Sequence, residues 1–335
     1  MIVTKELNEK NVERSDLYTF FANYSFEKKY FDLLGVPEIG KIEFIVKKII
    51  RRLSVINDIN KVFALYRNKE IVCLLGIDTN NFHSLHFGRD IIEIGPIYID
   101  KRIDITELKE SIEDIICKYL YSKDNPILKS KIDNEDVKSN QLLLELGYLQ
   151  LASTVKMLYN HNESHEIFLD QYNSRSKMNV KEFEIEDVKD NLDKNNFDFL
   201  IDQHYLSLHF SIYNSFFHPK LTKSLFKKWF DTFTKQKNSH IIQINTKNRH
   251  QCIGISCFQG PIEIAGRSIY SRELTIIDKE FNGMGLAGNL YNRMINLTQT
   301  FIEGCPLIEN TRNIALNERC GFQKVQVRNH FVKGI

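Results

Sequence analysis

The sequence predicts a mixed α/β protein made of two tandem halves, each a twisted mixed sheet flanked by helices. Three observations carry this prediction. The length of 335 residues suits two domains. The glycines fall into two groups, six up to Gly147 and nine from Gly254 onward, with none between them. Both groups also cover the same order of elements, namely a hairpin, a strand, a helix, a short strand, a short helix that stops at a glycine, and a last strand.

In the first half, strand-like runs come before a helical pattern. The strands are expected at 62–66, 71–75, 94–99 and 148–152. The first two flank a polar turn and therefore form a hairpin. A helix that begins near Thr106 carries apolar residues at helical spacing, which are Leu108, Ile112, Ile115 and Ile116. A second helix, around 141–146, stops at Gly147.

The second half repeats this order. Its strands are expected at 241–244, 252–258, 270–277 and 306–308. A glycine-containing loop follows the third of them and leads into a helix. The apolar residues of that helix are in helical register at Leu290, Met294, Leu297 and Phe301. A last helix ends at Gly321.

A polar stretch without glycine separates the halves and predicts the domain boundary. It begins at Asn160 and includes the polar run 173–179. Polar, small-residue stretches between patterned segments are typical of linkers. We therefore expect an N-terminal domain over 1–160, a linker over 161–179 and a C-terminal domain over 180–335.

The composition excludes several classes of protein. With 45 Lys and Arg against 43 Asp and Glu, the net charge of +2 gives no electrostatic footprint for nucleic acid or for a membrane surface. The N-terminus is charged and lacks the apolar core of a signal peptide. The six cysteines form no CxxC pair, so we expect free thiols in a reducing cytoplasm and no metal site.

The segment 274–288 is the most informative part of the chain. A β-branched strand runs into a turn with Gly283, Gly285 and Gly288, and a helix opens immediately afterwards. Glycines let backbone N–H groups wrap an anion, and a helix N-terminus adds about half a positive charge. The pattern suits a pyrophosphate, although it is neither a Walker loop nor GxGxxG on a first βαβ unit.

Two motifs resemble those of the GNAT acyltransferases. The segment 281–287 is similar to the glycine-rich motif of that family, with Asn282 where the family has Gln or Arg. The segment 310–322 is similar to the family's second motif, from which Asn313 and Asn317 depart. The resemblance covers about residues 180–335 and implies acyl-CoA as co-substrate with no metal. The first half echoes only the second motif, at 139–148, which indicates a degenerate GNAT-like domain.

The resemblance also implies where CoA binds. The motif strand would offer backbone hydrogen bonds to pantetheine and to the thioester carbonyl, the loop would hold the pyrophosphate, and the second motif would reach the pantetheine arm. The residues assigned to CoA in this way are Thr275, Ile276, Ile277, Asn282, Gly283, Met284, Gly285, Leu286, Ala287, Gly288, Asn310 and Asn313.

Two residues are catalytic candidates. Glu273 shares a strand face with 275 and 277 by period-two alternation, and there it could act as a base. The alternatives for Glu273 are an ion pair with Arg272 or Arg267, or a solvated strand end. Asn317 stands where many GNAT enzymes have a Tyr that protonates the leaving sulfur, and its amide could hydrogen-bond the sulfur instead. No Cys-His-acid pattern supports a covalent acyl-enzyme, so we expect direct attack on the thioester.

The arrangement of a long first half before a CoA-binding half is similar to GNAT enzymes that N-acylate nucleotide-linked amino sugars. This resemblance implies transfer of an acetyl or short hydroxyacyl group to a dTDP-linked amino-deoxy sugar for surface polysaccharide synthesis in the cytoplasm, and it allows a homodimer. The segment in which that family binds its acceptor corresponds here to His209, Tyr213 and His218. His204 lies close to this segment and is a further candidate, because a His near neutrality can accept a proton.

Three alternatives remain at this stage. The first is a GNAT acetyltransferase of a protein, peptide or small-molecule amine, and the second is a non-catalytic CoA-binding protein. The third is the tandem type that moves an aminoacyl group from tRNA to a peptidoglycan precursor. The glycine loop and the balanced charge argue against this third class.

Overall fold

A computed structural model shows two compact units. It describes residues 2–8, 10–22, 24, 28–54, 60–121, 123–162, 182–188, 193–204, 209–248 and 251–334. One unit comprises Met1–Ser153 with Gln326–Ile335, and the other comprises Thr154–Val325. The predicted linker 161–179 lies outside the described residues beyond Asn162.

Helices and strands alternate along the chain as a mixed α/β protein requires. The helices are α1 (Arg14–Ala22), α2 (Lys28–Leu33), α3 (Glu38–Ser54), α4 (Asn81–Phe87), α5 (Ile105–Leu120), α6 (Val137–Glu145), α7 (Lys194–His204), α8 (Pro219–Thr234), α9 (Leu286–Thr298) and α10 (Thr311–Arg319). The strands are β1 (Val3–Leu7), β2 (Asn60–Arg67), β3 (Glu70–Thr79), β4 (Ile91–Ile99), β5 (Ile127–Asp133), β6 (Leu149–Tyr159), β7 (Phe183–Asp187), β8 (Ser239–Thr246), β9 (Cys252–Ile264), β10 (Arg267–Ile277), β11 (Phe301–Gly304) and β12 (Gln323–Gly334).

The sheets of the two units have the same order and the same strand directions. In the first unit the order is β1-β2-β3-β4-β5-β12, and in the second it is β7-β8-β9-β10-β11-β6. In each sheet the fourth and fifth strands are parallel, whereas every other neighbouring pair is antiparallel. The prediction of two tandem halves, each a mixed sheet flanked by helices, is therefore confirmed.

The sixth strand of each sheet comes from the other half of the sequence. β12, at the C-terminal end, pairs with β5, and Arg328 lies opposite Asp133. β6 pairs with β11, and Tyr159 lies opposite Ile302. The chain therefore passes from one compact unit to the other within β6 and again within β12. The predicted C-terminal domain over 180–335 includes this last strand, whereas the structure places Gln326–Ile335 in the first unit.

The core of the first unit shows how the sequence pattern becomes packing. α5 begins where the Asp104 side chain accepts a hydrogen bond from the Thr106 N–H, at 3.0 Å. Leu108 and Ile112 on its apolar face are fully buried against residues of β3 and β4. A second apolar cluster joins α1 and α3 to strands β1, β2 and β3. Burial of such side chains contributes about 1.5–3 kcal/mol each.

One short strand was predicted at the wrong place. β11 occupies Phe301–Gly304, whereas the segment 306–308 forms only an isolated bridge, at Leu307. α9 ends at Thr298 because Gln299 takes a left-handed conformation with φ 49°. Phe301, which the helical register had included, belongs to the strand. The register failed because neither glycine nor proline marks this helix end.

Two further findings bear on function. No helix in the described part of the chain combines the length and the apolar character that a membrane crossing requires. Within the same residues, no group of three or more His, Cys, Asp or Glu side chains is arranged to hold a metal ion.

Candidate active site

The pairing of β10 changes along its length and creates the candidate site. Its parallel ladder with β11 ends at the pair of Arg272 and Gly304. Its antiparallel ladder with β9 continues to Ile277, which lies opposite Gly254. The backbone of residues 274–277 therefore has a ladder on the β9 side only, in the structure as described. Such an edge inside a sheet offers N–H and C=O groups to an extended ligand.

Glu273 lies at an irregularity of β10. The register to β9 shifts between Arg272 and Leu274, which are opposite Phe258 and Cys257, and Glu273 falls at this shift. A bulge re-aims side chains and interrupts strict alternation, so the alternation argument for 273, 275 and 277 does not fix the direction of this carboxylate. Glu273 is half-buried. Burial raises the pKa of the Cys257 thiol, and the Glu273 charge raises it further, which places the two side chains near each other.

The loop after β10 is shaped by Asp278. This buried carboxylate caps the 3₁₀ turn Lys279–Phe281 and accepts a hydrogen bond from the Glu280 N–H, at 3.1 Å. The following residues 282–285 are exposed. Gly283 and Gly285 have φ values of +87° and +78°, in the left-handed region that favours glycine.

The N-terminus of α9 is open. Gly285 is its N-cap residue, and no side chain caps the helix. The N–H groups of a first helical turn lack intrahelical partners, and the helix dipole favours negative charge there. Gly288, in this first turn, is buried, yet a Cβ added to it would meet no heavy atom within 4 Å. The space beside this turn can therefore receive a ligand.

Two side chains at the C-terminal end of α7 hold the end of β10. Nε2 of His204 donates a hydrogen bond to the Ile277 carbonyl oxygen, at 2.7 Å. Gln203 bonds the loop twice, since it donates to the Asp278 carboxylate at 3.1 Å and accepts from the Lys279 N–H at 2.8 Å. Sequence reasoning had weighed His204 only as an acceptor-site residue and had missed Gln203, because neither contact has a local sequence signal.

We expect His204 to make stability pH-dependent. Burial lowers the pKa of His204, whereas its hydrogen bond to Ile277 acts in the opposite direction. Below about pH 6.5, the unfolded chain therefore binds this proton more readily than the folded chain. The free energy of unfolding should fall as the pH decreases from about 6.5, and His204→Gln should remove this part of the slope. Urea unfolding between pH 5 and 8 measures it, with His86→Gln in α4 of the other unit as control. An unchanged slope in His204→Gln would contradict the assignment.

The three asparagines of the second motif form one internal network. Asn310 caps α10 by accepting a hydrogen bond from the Asn313 N–H, at 3.2 Å. Nδ2 of Asn317 donates to the backbone oxygen and to Oδ1 of Asn313, at 2.7 and 2.6 Å. Asn317 is fully buried, and its Oδ1 has no hydrogen-bond partner in the described structure. An oxygen accepts hydrogen bonds but cannot donate one to a leaving thiolate.

Arg272 is a residue of this site that the sequence argument did not assign to it. Its guanidinium is buried, with Cζ 4.4 Å from the ring centroid of Tyr291 in α9 and 5.5 Å from that of Phe322. Strand alternation carries no information about these contacts, because both aromatic residues follow later in the chain, Tyr291 in α9 and Phe322 just before β12.

The residues expected to bind the acceptor differ in how far they are exposed to solvent. Tyr213 is buried, at 1% exposure. His218 is exposed and caps α8, and its Nδ1 accepts a hydrogen bond from the Lys220 N–H at 3.2 Å. The side chain of His209 lies outside the described residues.

Among known proteins, only solved structures are similar to this chain, and they share its fold. No protein-family model matches the sequence, and no curated protein matches it either. Among solved structures, a GCN5-related N-acetyltransferase from Sphaerobacter thermophilus aligns over 99% of this chain and 95% of its own, with a TM-score of 0.63 and 10% identity. A tandem GNAT protein from the clavulanic acid biosynthesis pathway aligns over 100% and 98%, with a TM-score of 0.55 and 8% identity.

A third solved structure contains this fold as one part of a larger protein. It is described as a GCN5-related glucosamine N-acetyltransferase region in a fungal multi-domain GH3 β-N-acetylglucosaminidase. It aligns over 99% of this chain and 38% of its own, with a TM-score of 0.57 and 10% identity. The fold of the chain is therefore that of tandem GNAT proteins.

Proposed function

We propose that the chain is an acyl-CoA-dependent N-acyltransferase of the GNAT type. The observation that carries this proposal is the end of the β10–β11 ladder at the pair of Arg272 and Gly304. Beyond that pair, an open backbone edge leads directly to the glycine loop and to the uncapped N-terminus of α9. An extended ligand with an anionic end and amide groups along its arm fits this arrangement.

In this proposal the protein binds acyl-CoA and polarises its thioester carbonyl, mainly through backbone groups. The loop 282–288 and the first turn of α9 hold the pyrophosphate through backbone N–H groups. The open edge of residues 275–277 aligns the arm, and its N–H groups polarise the carbonyl that is attacked. Acyl-CoA, when bound, supplies the activated acyl group. Preorganised donors of this kind typically contribute about 2.7–4 kcal/mol each to a reaction barrier.

Proton transfer rests on Glu273 in this proposal. A carboxylate at the bulge of β10 can accept the proton of an attacking amine, directly or through a water molecule. Asn317 positions the second motif, since its amide nitrogen is engaged by Asn313. Transfer is direct, without an acyl-enzyme. Burial raises the pKa of the Cys320 thiol to about 12, so this thiol is not a nucleophile near neutral pH.

For the acceptor we propose a nucleotide-linked, dTDP-type amino sugar, and we place the reaction in the cytoplasm as a step in surface polysaccharide synthesis. The support is the resemblance in the arrangement of the two halves of the sequence, together with the shared fold of a protein described as a glucosamine N-acetyltransferase region. The amine of an amino sugar titrates lower than that of lysine, so more of it is neutral near pH 8.

The test is a screen for thiol release. Acetyl-CoA and longer acyl-CoAs are paired with dTDP- and UDP-linked amino sugars, with a lysine-containing peptide as the competing acceptor. We expect free thiol only with a sugar amine. Release with the peptide alone would overturn the sugar acceptor and keep acyl transfer. Absence of CoA binding in calorimetry would overturn the whole proposal.

A second candidate is a CoA-binding protein without catalysis. It is favoured by one observation, namely that Asn317 replaces the proton-donating Tyr of the family and directs its amide nitrogen inward. Tight binding of CoA with no thiol release for any amine would select this candidate.

A further inference from the structure

Arg272 carries a buried charge that no side chain neutralises. Its exposure is 7%, and Nη1 is buried without a hydrogen-bond partner among the described residues. No described carboxylate lies within salt-bridge distance of it. Burial lowers the pKa of Arg272 to about 10. Among the described residues, only the thiols of Cys320 and Cys305 act to raise this pKa.

The two buried lysines in the described part of the chain are each paired with a carboxylate. Lys41, 3% exposed, contacts Asp32 at 2.9 Å and Glu38 at 3.1 Å. Lys156, 6% exposed, contacts the Glu303 carboxylate at 2.9 Å. Buried charges are normally compensated in this way, because desolvation without a partner is strongly unfavourable. An uncompensated guanidinium is therefore the feature that requires an explanation.

The surroundings of Arg272 fix the plane of its guanidinium. The rings of Tyr291 and Phe322 lie against it at 4.4 and 5.5 Å from Cζ, in cation–π contact. Gly304 makes room on the β11 side, since a Cβ there would collide with Nη2 and would lie 3.1 Å from Cζ. Ring contacts occupy the face of a guanidinium and leave its in-plane N–H donors for an acceptor, as a bidentate carboxylate requires.

The position on β10 indicates which anion binds. The loop suited to pyrophosphate follows Ile277, whereas Arg272 lies five residues upstream, roughly 17 Å along the strand. One pyrophosphate cannot occupy both places. Arg272 is at the end of the ladder, where the open edge for the pantetheine arm begins. The end of the ligand farthest from the pyrophosphate is its acyl group.

We infer that Arg272 binds the free carboxylate of a dicarboxylic acyl group carried by CoA, such as a succinyl group. This inference rests on the proposed function and replaces the acetyl or short hydroxyacyl group expected from the sequence. The carboxylate neutralises the guanidinium, and transfer leaves this carboxylate unchanged. The amine nitrogen forms the amide bond, the thioester bond breaks, and CoA leaves as its thiol with the proton that the amine loses. An acetyl group brings no charge to Arg272 and leaves the buried cation uncompensated.

Calorimetry on the full chain tests the inference with CoA, acetyl-CoA, succinyl-CoA and sodium succinate. We expect the wild-type Kd for succinyl-CoA to be about 10- to 100-fold lower than that for acetyl-CoA, the range for a buried hydrogen bond between charged groups. Arg272→Met keeps an apolar stem and should bring the ratio close to one. Arg267→Met, on the exposed start of the same strand, is the matched control and should keep the ratio. Arg272→Lys keeps the positive charge but lacks the two parallel N–H donors of a guanidinium, so its Kd ratio between the two thioesters should be intermediate.

The outcomes separate the two proposals. Equal wild-type affinity for both thioesters would overturn the inference and leave acyl-CoA binding intact. Binding of succinate at Arg272 without preference between the thioesters would show a small-anion site and would also overturn it. Absence of binding by any CoA compound, including CoA itself, removes the proposed function and this inference together. Unliganded Arg272→Met should melt no lower than wild type, and a large fall in its melting temperature would assign Arg272 a structural role instead. The wild-type ratio decides the question even if this variant does not fold.

Discussion

Gly288→Val should reduce the affinity for CoA by about 100-fold or more without destabilising the protein. The added side chain enters open space beside the first turn of α9, where a ligand phosphate would meet backbone N–H groups. Loss of two charge-assisted hydrogen bonds, at about 1.5–3 kcal/mol each, accounts for this magnitude. Valine is a better helix former than glycine, so the helix should not weaken. Calorimetry with CoA and a urea melt measure the two effects.

The choice of position matters for this experiment. Gly285 is the more obvious target from the motif, but its φ of +78° would strain a β-branched residue and confuse loss of binding with loss of folding. Leu297→Val, at an exposed position near the other end of α9, is the control for a β-branched substitution in the same helix. If Gly288→Val binds CoA as tightly as wild type does, the loop is not the pyrophosphate site.

Glu273→Gln should lower kcat by about 100-fold or more while the Kd for CoA stays within about twofold, because a positioned base typically contributes about 10²–10⁴-fold. The amide keeps the shape of the side chain and removes its ability to accept a proton. The acidic limb of the pH–rate profile should flatten in the variant. Steady-state kinetics with the best acceptor of the screen provides the measurement.

The control for Glu273→Gln is Glu263→Gln, which changes an exposed carboxylate on β9. If kcat changes by less than about threefold in Glu273→Gln, the attacking amine does not need this carboxylate. The remaining role of Glu273 would then be electrostatic, near Cys257.

Local patterns predicted much of the fold. The hairpins β2–β3 and β8–β9 follow from strand-like runs around polar turns, and α5 follows from an apolar face that is buried as expected. The glycine loop could also be located, because a strand, a glycine-rich turn and a helix start are consecutive in the sequence. These features depend on residues within about one turn or one hairpin of each other.

Features that depend on distant residues could not be predicted. The end of the β10–β11 ladder is set by where two strands diverge, which no single segment encodes. The burial of Arg272 requires Tyr291 and Phe322, whereas the sequence indicates only the neighbouring Glu273 as a partner for this arginine. The network of Asn317 likewise depends on how α9 and α10 pack, since its Nδ2 also lies 3.5 Å from the Tyr291 hydroxyl.

The exchange of terminal strands has a consequence for biosynthesis. A ribosome releases Asp133 long before Arg328, its partner in the first sheet, and domains that are complete in sequence normally fold while translation continues. In this protein the edge of β5 stays unpaired until β12, the last strand, has been synthesised. Pairings between residues so far apart slow folding and leave a strand edge accessible to other chains in the meantime. Cutting the gene at the linker would make this temporary state permanent, because each fragment would lack the strand that closes its sheet.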